Sequence, residues 1–516
     1  MTKQLSIPRQ QGLAPVLMIV GTSSHAGKTT LVAALCRWFS NHGIAVAPFK
    51  AQNMSLNAAV TRDGAEIGRA QMLQAHAARV VATAAMNPIL LKPHTERKSQ
   101  VIVMGKALSV DDARDYFARH HALWPTVTGA LDTLRKEHEL IIVEGAGSPA
   151  EINLYDRDLV NMKIARYANA PCLLVGDIER GGVFASLYGT VALLPDEERA
   201  LIRGFVINKF RGDVTLIEPG PAMLEARTGV PTFGVVPYLR DMDLPEEDAL
   251  GAAPLQMSDA DTTIDIAVMK LPHLANFDDF DPLRRTAGVR VRYVGAPDEW
   301  GTPDLVIIPG SKTTMHDLEW LRSTGLATCI VRHRTEGRAM IGICGGFQML
   351  GRALFDDHQV ESSTQQMQGL GIFDVDTHFS EIKSTVQVSG QVMADRGLLA
   401  GARGIDVHGY EIHAGQTTIE SAHAVFAISQ HGGTAVNAMD GMLDEQGLVL
   451  GTYQHGLFHN AELRAALLGN VARMIGATLP AAAHERSLDD SLDRLADHFA
   501  AHLDMDAVVR LVGAYA

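Results

Sequence analysis

The stretch MIVGTSSHAGKTTLVAALCRWF, residues 18–39, decides how the first half of the chain folds. A Walker A loop reads GxxxxGK[ST], but here Gly21 stands one residue too far from Gly27, and Thr22 occupies the position where the first glycine is expected. The physical parts of a phosphate loop are nonetheless present. An apolar strand ends at Gly21, Gly27 frees the backbone for a tight turn, Lys28 can reach a phosphate, and Thr29, followed by Thr30, offers a hydroxyl to Mg2+ at the start of a helix. Leu31, Ala34, Leu35, Trp38 and Phe39 form one face of that helix, which stops at Gly43.

Working outward, PVLMIVG (15–21), LIIVEGAG (140–147), APCLLVGD (170–177) and IRGFVINKF (202–210) are short apolar runs ending in glycine or a polar residue. Such runs suit strands of a parallel sheet buried on both faces, so an α/β domain is expected over residues 1–250. The acidic text around 245–263, poor in large apolar residues, reads as a linker at 251–262. Strand runs resume in IDIAVMKLP, PDLVIIPGS and AMIGICGG, giving a second α/β domain over 263–478. In the tail, 479–516, residues Leu488, Leu492, Leu495, Phe499 and Leu503 follow one helical face, as in a docked amphipathic helix.

A chain of 516 residues exceeds one ordinary core, and 47% hydrophobic with 20% charged residues is a globular composition. The net charge of −14 argues against a nucleic-acid partner, so any phosphate site must be local. Four cysteines (36, 172, 329 and 344) make a poor disulfide framework, which fits a reducing cytoplasm. The opening MTKQLSIPRQQG lacks the apolar centre of a signal peptide, and no run approaches the ~18 apolar residues of a membrane span.

Polar residues stand at several strand ends: Lys50 in APFKAQNMS, Glu144 in IIVEGAG, Asp177 in LLVGDIERGG, and Asn208 with Lys209 in VINKFRGD. The Asp177 carboxylate suits Mg2+ or a metal-bound water, and equally a simple helix cap. The longer loop GTSSHAGKT resembles the GTxxxxGKT of the dethiobiotin synthetase-like ATPases. That resemblance implies a P-loop NTPase sheet with helices on both faces, whose ATP phosphorylates a carboxylate. It implies ATP contacts at Gly21, Thr22, Gly27, Lys28, Thr29 and Thr30, a second phosphate-contacting lysine at Lys50, and an adenine-reading Asn208 beside Lys209. Mg2+ would be held by Thr29, Glu144 and Asp177.

In AMIGICGGFQMLG, residues 339–351, Cys344 sits between Gly342 and Gly346 at a strand-to-helix turn. Small neighbours permit the strained elbow that exposes sulfur at a helix N-terminus, where the dipole favours thiolate. A thiolate needs a base, and His455 in GLVLGTYQHGLFHN ends an apolar strand far downstream. The pair resembles the class I glutamine amidotransferases, which implies an α/β glutaminase domain with catalytic Cys344 and His455. Gly310 and Ser311 in VIIPGSKTT, with the amide of Gly345, would line the glutamine and oxyanion pocket. The glutamate common two residues after the histidine is Leu457 here, leaving a Cys-His dyad or another acid; Glu411, beside His413, is one candidate.

An ATPase that activates carboxylates joined to a source of ammonia makes a glutamine-dependent amide ligase. The segments KAQNMSLNAA, NPILLKP, SPAEINLYDRDLVNM, GDIERGGVFASLYGT, LPHLANFDDFDPL and GYEIHAG, spread over residues 15–475, are similar to those of the cobyric acid synthase family. The resemblance implies ATP, Mg2+ and glutamine as reactants. Its corrinoid substrate would be adenosylcobyrinic acid a,c-diamide, amidated at the b, d, e and g carboxylates to adenosylcobyric acid. Gln52, Asn53 and Ser55 stand where the a,c-diamide synthases carry an aspartate-containing segment, which favours the later enzyme. Lys92, Lys98 or Arg180 could offset the protein's net acidity near this polyanion, although surface solvation explains each singly. A CTP synthase-like ligase and a partitioning-type ATPase switch are the competing readings; the first lacks GDIERGGVFAS and the second has no use for Cys344 and His455. A homo-oligomeric state is left open.

Overall fold

The computed structural model describes residues 6–9, 11–93, 98–112, 114–116, 120–239, 262–419, 423–480 and 487–513. Two compact units emerge: Met1–Ser55 and Ile67–Pro245 with Arg486–Ala516, and Leu56–Glu66 with Glu246–Glu485. The units are thus not contiguous in sequence, since a short early segment and the tail each join the unit that their own position in the chain would not suggest. Apart from Thr262, the linker expected at 251–262 lies outside the described residues.

The first unit is built on a six-stranded parallel sheet. Its order is Thr232–Pro237, Ile202–Phe210, Cys172–Asp177, Val16–Gly21, Leu140–Glu144, Val46–Phe49. Every residue of Val16–Gly21 and of Leu140–Glu144 is buried. Because alternate residues of a strand face opposite sides, both faces must be covered, which is why these runs are continuously apolar. Val16–Gly21 is first in sequence yet central in the sheet, with later strands added on either side. The loop after Gly21 therefore lies at the switch point, where open α/β sheets bind their ligands. A smaller sheet, Gln52–Met54, Ile89–Pro93, Lys98–Val103 and Lys106–Asp112, completes this unit.

The tail is part of this core. Helix Leu488–His502 opens with a capping box between Ser487 and Asp490 and buries Leu492, Leu495 and Phe499 in the cluster that holds Leu31 and Leu35 of helix Lys28–Asn41. Leu488, expected on the same face, stays 36% exposed at the helix end. Beneath the tail, Arg37 is 1% exposed, and its guanidinium meets Asp489 at 2.6 Å and Asp493 at 2.7 Å. Leu503 then bridges to Gly234, where a Cβ would come 2.0 Å from the His502 carbonyl oxygen.

In the second unit, five parallel strands run in the order Val289–Val294, Ile264–Met269, Leu305–Ile308, Ala339–Ile343, Val449–Thr452. Antiparallel strands Thr434–Leu443, Ala424–His431 and Asp376–Val392 extend the sheet, and Asp406–Thr417 pairs with Asp376–Val392. The segment Leu56–Glu66 is tied into this unit by its backbone and by one ion pair. The Ala58 amide donates to Asn276 Oδ1 at 3.1 Å, the Phe277 amide donates to Asn57 Oδ1 at 3.3 Å, and Lys383 meets Glu66 at 2.6 Å. All four cysteines are buried and unbridged. Among the described residues no helix is long and apolar enough to cross a membrane.

Leu495→Ala removes a fully buried side chain between the tail and the helix that carries Lys28, so it should cost about 2–5 kcal/mol of unfolding free energy. Denaturant unfolding of the first unit measures this. A loss below about 0.5 kcal/mol would mean the tail is not part of the core.

Candidate active sites

The phosphate loop is shaped by two glycines. Gly27, with φ of 96°, caps the helix Lys28–Asn41, and a Cβ there would meet Asn208 Nδ2 at 2.1 Å, so both conformation and space demand glycine. Asn208 Nδ2 donates to the Ala26 carbonyl at 3.0 Å and so props the loop from the strand Ile202–Phe210, two places away in the sheet. Lys28 reaches back across it, donating to the carbonyls of Ser23 at 2.8 Å and Gly147 at 3.0 Å. The Thr22 amide donates to Val175 at 2.9 Å, fixing the point at which the chain leaves the sheet. Thr30, the third residue of the helix, is half-buried.

Glu144 gathers the first charged cluster. Its carboxylate is 1% exposed and accepts from Thr29 Oγ1 at 2.8 Å, Lys50 Nζ at 2.9 Å and Gln74 Nε2 at 2.5 Å. Burial alone would raise its pKa, but the charge and hydrogen bond of Lys50, with those of Gln74 and Thr29, hold it below the usual carboxylate range. A second cluster flanks the loop: Lys209 Nζ lies 3.0 Å from Asp177 Oδ2 and 2.6 Å from the His25 carbonyl. Asp177 also accepts the Glu179 amide at 2.9 Å, a turn contact and not the helix cap considered from sequence, since Gly182 caps the helix Val183–Leu193. The sites named from sequence therefore fall into two groups, Thr29 with Lys50 and Glu144, and Asp177 with Lys209 next to Asn208. The donor chemistry of Thr29 and Glu144, a hydroxyl against an ionised carboxylate, fits a hard cation.

Gln74 was not foreseen, since nothing in RAQMLQAHA marks one glutamine over another. Asn53 turns to Gln71, with its Nδ2 3.1 Å from Gln71 Oε1. Of the three compensating cations, Lys98 and Arg180 are exposed, as surface solvation requires, but Lys92 is only 2% exposed and is no surface lysine.

Cys344 stands at the elbow with φ of 51° and ψ of −110°, between the strand Ala339–Ile343 and the short helix Gly345–Leu350. The turn is tight enough that a Cβ on Gly346 would lie 1.9 Å from the Ile308 carbonyl and one on Gly342 would lie 2.6 Å from Leu350. A Cβ on Gly310 would come 2.8 Å from the His455 ring, and one on Gly345 would come 3.0 Å from the Ser311 amide. The loop Gly310–Ser311 thus borders both the histidine and the turn after the thiol. Ser311 is held by donating from Oγ to Asp317 at 2.6 Å.

The acid left open by the sequence is Asp279. It lies in the turn Phe277–Phe280, accepts from His455 Nδ1 at 2.7 Å and accepts the Gly456 amide at 2.7 Å. Glu411 instead contacts His413, at 3.2 Å, so it is not the partner of His455. Cys344 and His455 act on each other's ionisation. Burial pushes the thiol up, yet the charge and hydrogen bond of His455, then His413 and the Gly345 amide, bring it below its ordinary value. Burial likewise pushes His455 down, but Asp279 and Cys344 outweigh it and raise the imidazole to about 10. The arrangement draws the thiol toward thiolate and the imidazole toward imidazolium, with a buried carboxylate behind the ring. Cys36 and Cys172, by contrast, are pushed far up, first by burial and then by Glu144 and Glu198 respectively, and are inert thiols.

Two family signatures match the chain: a CobQ/CobB/MinD/ParA nucleotide binding domain over residues 17–250 and a CobB/CobQ-like glutamine amidotransferase domain over 265–463. The chain is 46% identical over 500 residues to the cobyric acid synthase of Dehalococcoides mccartyi strain CBDB1, covering 97% of this chain and 99% of that one. It is 47% identical over 520 residues to that of Sorangium cellulosum strain So ce56, covering 97% and 99%. The Yersinia enterocolitica enzyme of the same name is 45% identical over 505 residues, covering 96% and 98%.

Asp279→Asn should lower glutamine hydrolysis about 100-fold or more, because His455 loses both its tautomer lock and its charge partner. The sign of the pH effect follows from the raised imidazole. In the native protein the alkaline limb of glutamine hydrolysis should fall near 10, and in the variant it should move down toward the ordinary histidine range. Initial rates against pH check both, and an unmoved alkaline limb would remove Asp279 from the site.

Proposed function

We propose a residue-level mechanism for this chain, which belongs to the cobyric acid synthase family. It is a glutamine-dependent amidoligase of cobalamin biosynthesis, and its nucleotide-binding domain serves an ATP-dependent step. The reading of its substrate is adenosylcobyrinic acid a,c-diamide, whose b, d, e and g carboxylates become amides of adenosylcobyric acid. Unbridged buried cysteines agree with a reducing cytoplasm.

In the second unit, the Cys344 thiolate attacks the side-chain carbonyl carbon of glutamine. The developing oxyanion is met by the amide of Gly345 and the loop at Gly310 and Ser311. His455 gives its proton to the departing nitrogen, ammonia leaves, and a thioester remains on sulfur. His455, now neutral, takes a proton from water as the water attacks, and glutamate is released as sulfur departs. Asp279 holds the imidazole through Nδ1, so the proton is exchanged at Nε2.

In the first unit, the loop Gly21–Thr30 receives ATP, with backbone amides at the helix N-terminus and Lys28 facing the phosphates. Lys28 gives up its contacts to Ser23 and Gly147 to do so. Lys50, held by Glu144, is the second cation near the transferred phosphate, and Asn208 and Lys209 support the base side of the loop. Thr29 and Glu144, with Asp177 across the loop, would hold Mg2+, which when bound neutralises charge on the phosphates. The corrin carboxylate takes the γ-phosphoryl group as an acyl phosphate. Ammonia then attacks the acyl carbon, phosphate leaves, and the amide forms.

The observation that carries this reading is the Cys344–His455–Asp279 array within a chain that also carries the Thr29–Lys50–Glu144 cluster. Cys344→Ala should abolish amidation driven by glutamine while leaving amidation driven by ammonium, followed by product mass with ATP, Mg2+ and the diamide corrinoid. Successive mass increments for the b, d, e and g amides are expected. No corrinoid turnover with either nitrogen source would sink the assignment.

A further inference from the structure

His413 sits beside the reactive thiol without belonging to the Cys344–His455–Asp279 array. The Cys344 sulfur lies 3.6 Å from the Ile412 carbonyl, so the strand Asp406–Thr417 runs against the sulfur and His413 is the next residue along it. Both ring nitrogens of His413 face acceptors: Nδ1 is 2.7 Å from the Gly415 carbonyl, and Nε2 is 3.2 Å from Glu411 Oε2. A carbonyl oxygen carries no proton, and an ionised carboxylate only accepts. Between the Gly415 carbonyl and an ionised Glu411 both nitrogens donate, an arrangement that the imidazolium satisfies and a neutral ring does not. The ring also stacks on Tyr453 with centroids 3.9 Å apart and planes 26° from parallel, a placement that suits a cation over a π face. Tyr453 is fixed in turn by its hydroxyl, 2.7 Å from Thr417 Oγ1 and 3.3 Å from Gln348 Nε2.

From this geometry we propose that His413 is a resident imidazolium, a second positive charge that holds the Cys344 sulfur as thiolate independently of His455. The inference rests on the glutaminase reading of the site and deepens it. During turnover His455 surrenders its proton to ammonia, and its charge is only being restored while sulfur leaves the thioester. A fixed charge at His413 covers the departing thiolate through that interval. Glu411 offsets part of it, which keeps the pair tolerable in a nearly buried position.

The groups facing His413 agree. They are Glu411 on its own strand, Cys344 on the elbow, the Gly415 carbonyl and the Tyr453 ring. Burial would lower the His413 pKa, but Glu411 and Cys344 raise it above the ordinary value. Asp440 is pushed up to about 6 by burial and then by Glu411.

Two measurements test the proposal in the full-length protein, and neither needs glutamine or a corrinoid, so they stand even if the glutaminase reading fails. The pH dependence of Cys344 alkylation by iodoacetamide, read by mass spectrometry of its peptide, should move its midpoint up by about one pH unit or more in His413→Gln. An unchanged midpoint would overturn the proposal, because a purely structural role does not move it. Should that variant not fold, 15N-histidine NMR of the native protein decides. At pH 8, where ordinary histidines are neutral, two of the 21 rings should retain the imidazolium signature, those of His413 and His455. One such ring or none would refute it.

Discussion

The contact between Asp279 and His455 is the constraint around which the second unit is arranged. A carboxylate and an imidazole are brought within 2.7 Å with almost no solvent access to either. The pair is tolerated there because its members bond to each other and the second Asp279 oxygen takes the Gly456 amide. Geometry then follows outward. Gly310 must be glycine to clear the ring, and the elbow must bend sharply enough to lift sulfur toward it. The turn Phe277–Phe280 must be held still, and part of its hold comes from Asn57 and Ala58 in the segment Leu56–Glu66, bonded to Phe277 and Asn276. A segment drawn from far earlier in the chain thus steadies the acid of a site whose other members lie far downstream.

The first unit solves a related problem with different partners. Glu144 is as deeply buried as Asp279, and it stays ionised because Lys50, Gln74 and Thr29 converge on it. Both carboxylates are buried where water cannot relieve a mistake. The difference lies in what each is for. Asp279 fixes one tautomer of one ring, whereas the Glu144 cluster presents an oxygen-rich, lysine-balanced pocket beside the phosphate loop.

The loop, the elbow, the strand-end glutamate and the downstream histidine were legible because each chemistry is written in local sequence: a glycine where φ is positive, a small residue where a carbonyl crowds, an apolar run before a polar tip. The partner of His455 was not. Asp279 is 176 residues from it in sequence and stands in an acidic FDDFD run where no periodicity singles out one carboxylate. Glu411 looked suitable because it neighbours a histidine in GYEIHAG, and it does pair with a histidine, but with His413. Lys92 shows the same limit in reverse: its charge suggested the surface, and its strand buries it.

By itself, then, the sequence determined the two α/β cores, the glycine-rich loop before its helix, and the cysteine at the elbow. These depend on backbone conformation and on the pattern of apolar residues, both set within a few positions. The tertiary structure alone decided which acid completes the thiol site, that residues 56–66 join the second unit, and that Arg37 is buried under two aspartates of the tail. Each of these is a match between charges or hydrogen-bonding groups far apart in the chain. The energy of such a match appears only when both partners are brought together out of water, so neither partner announces it alone.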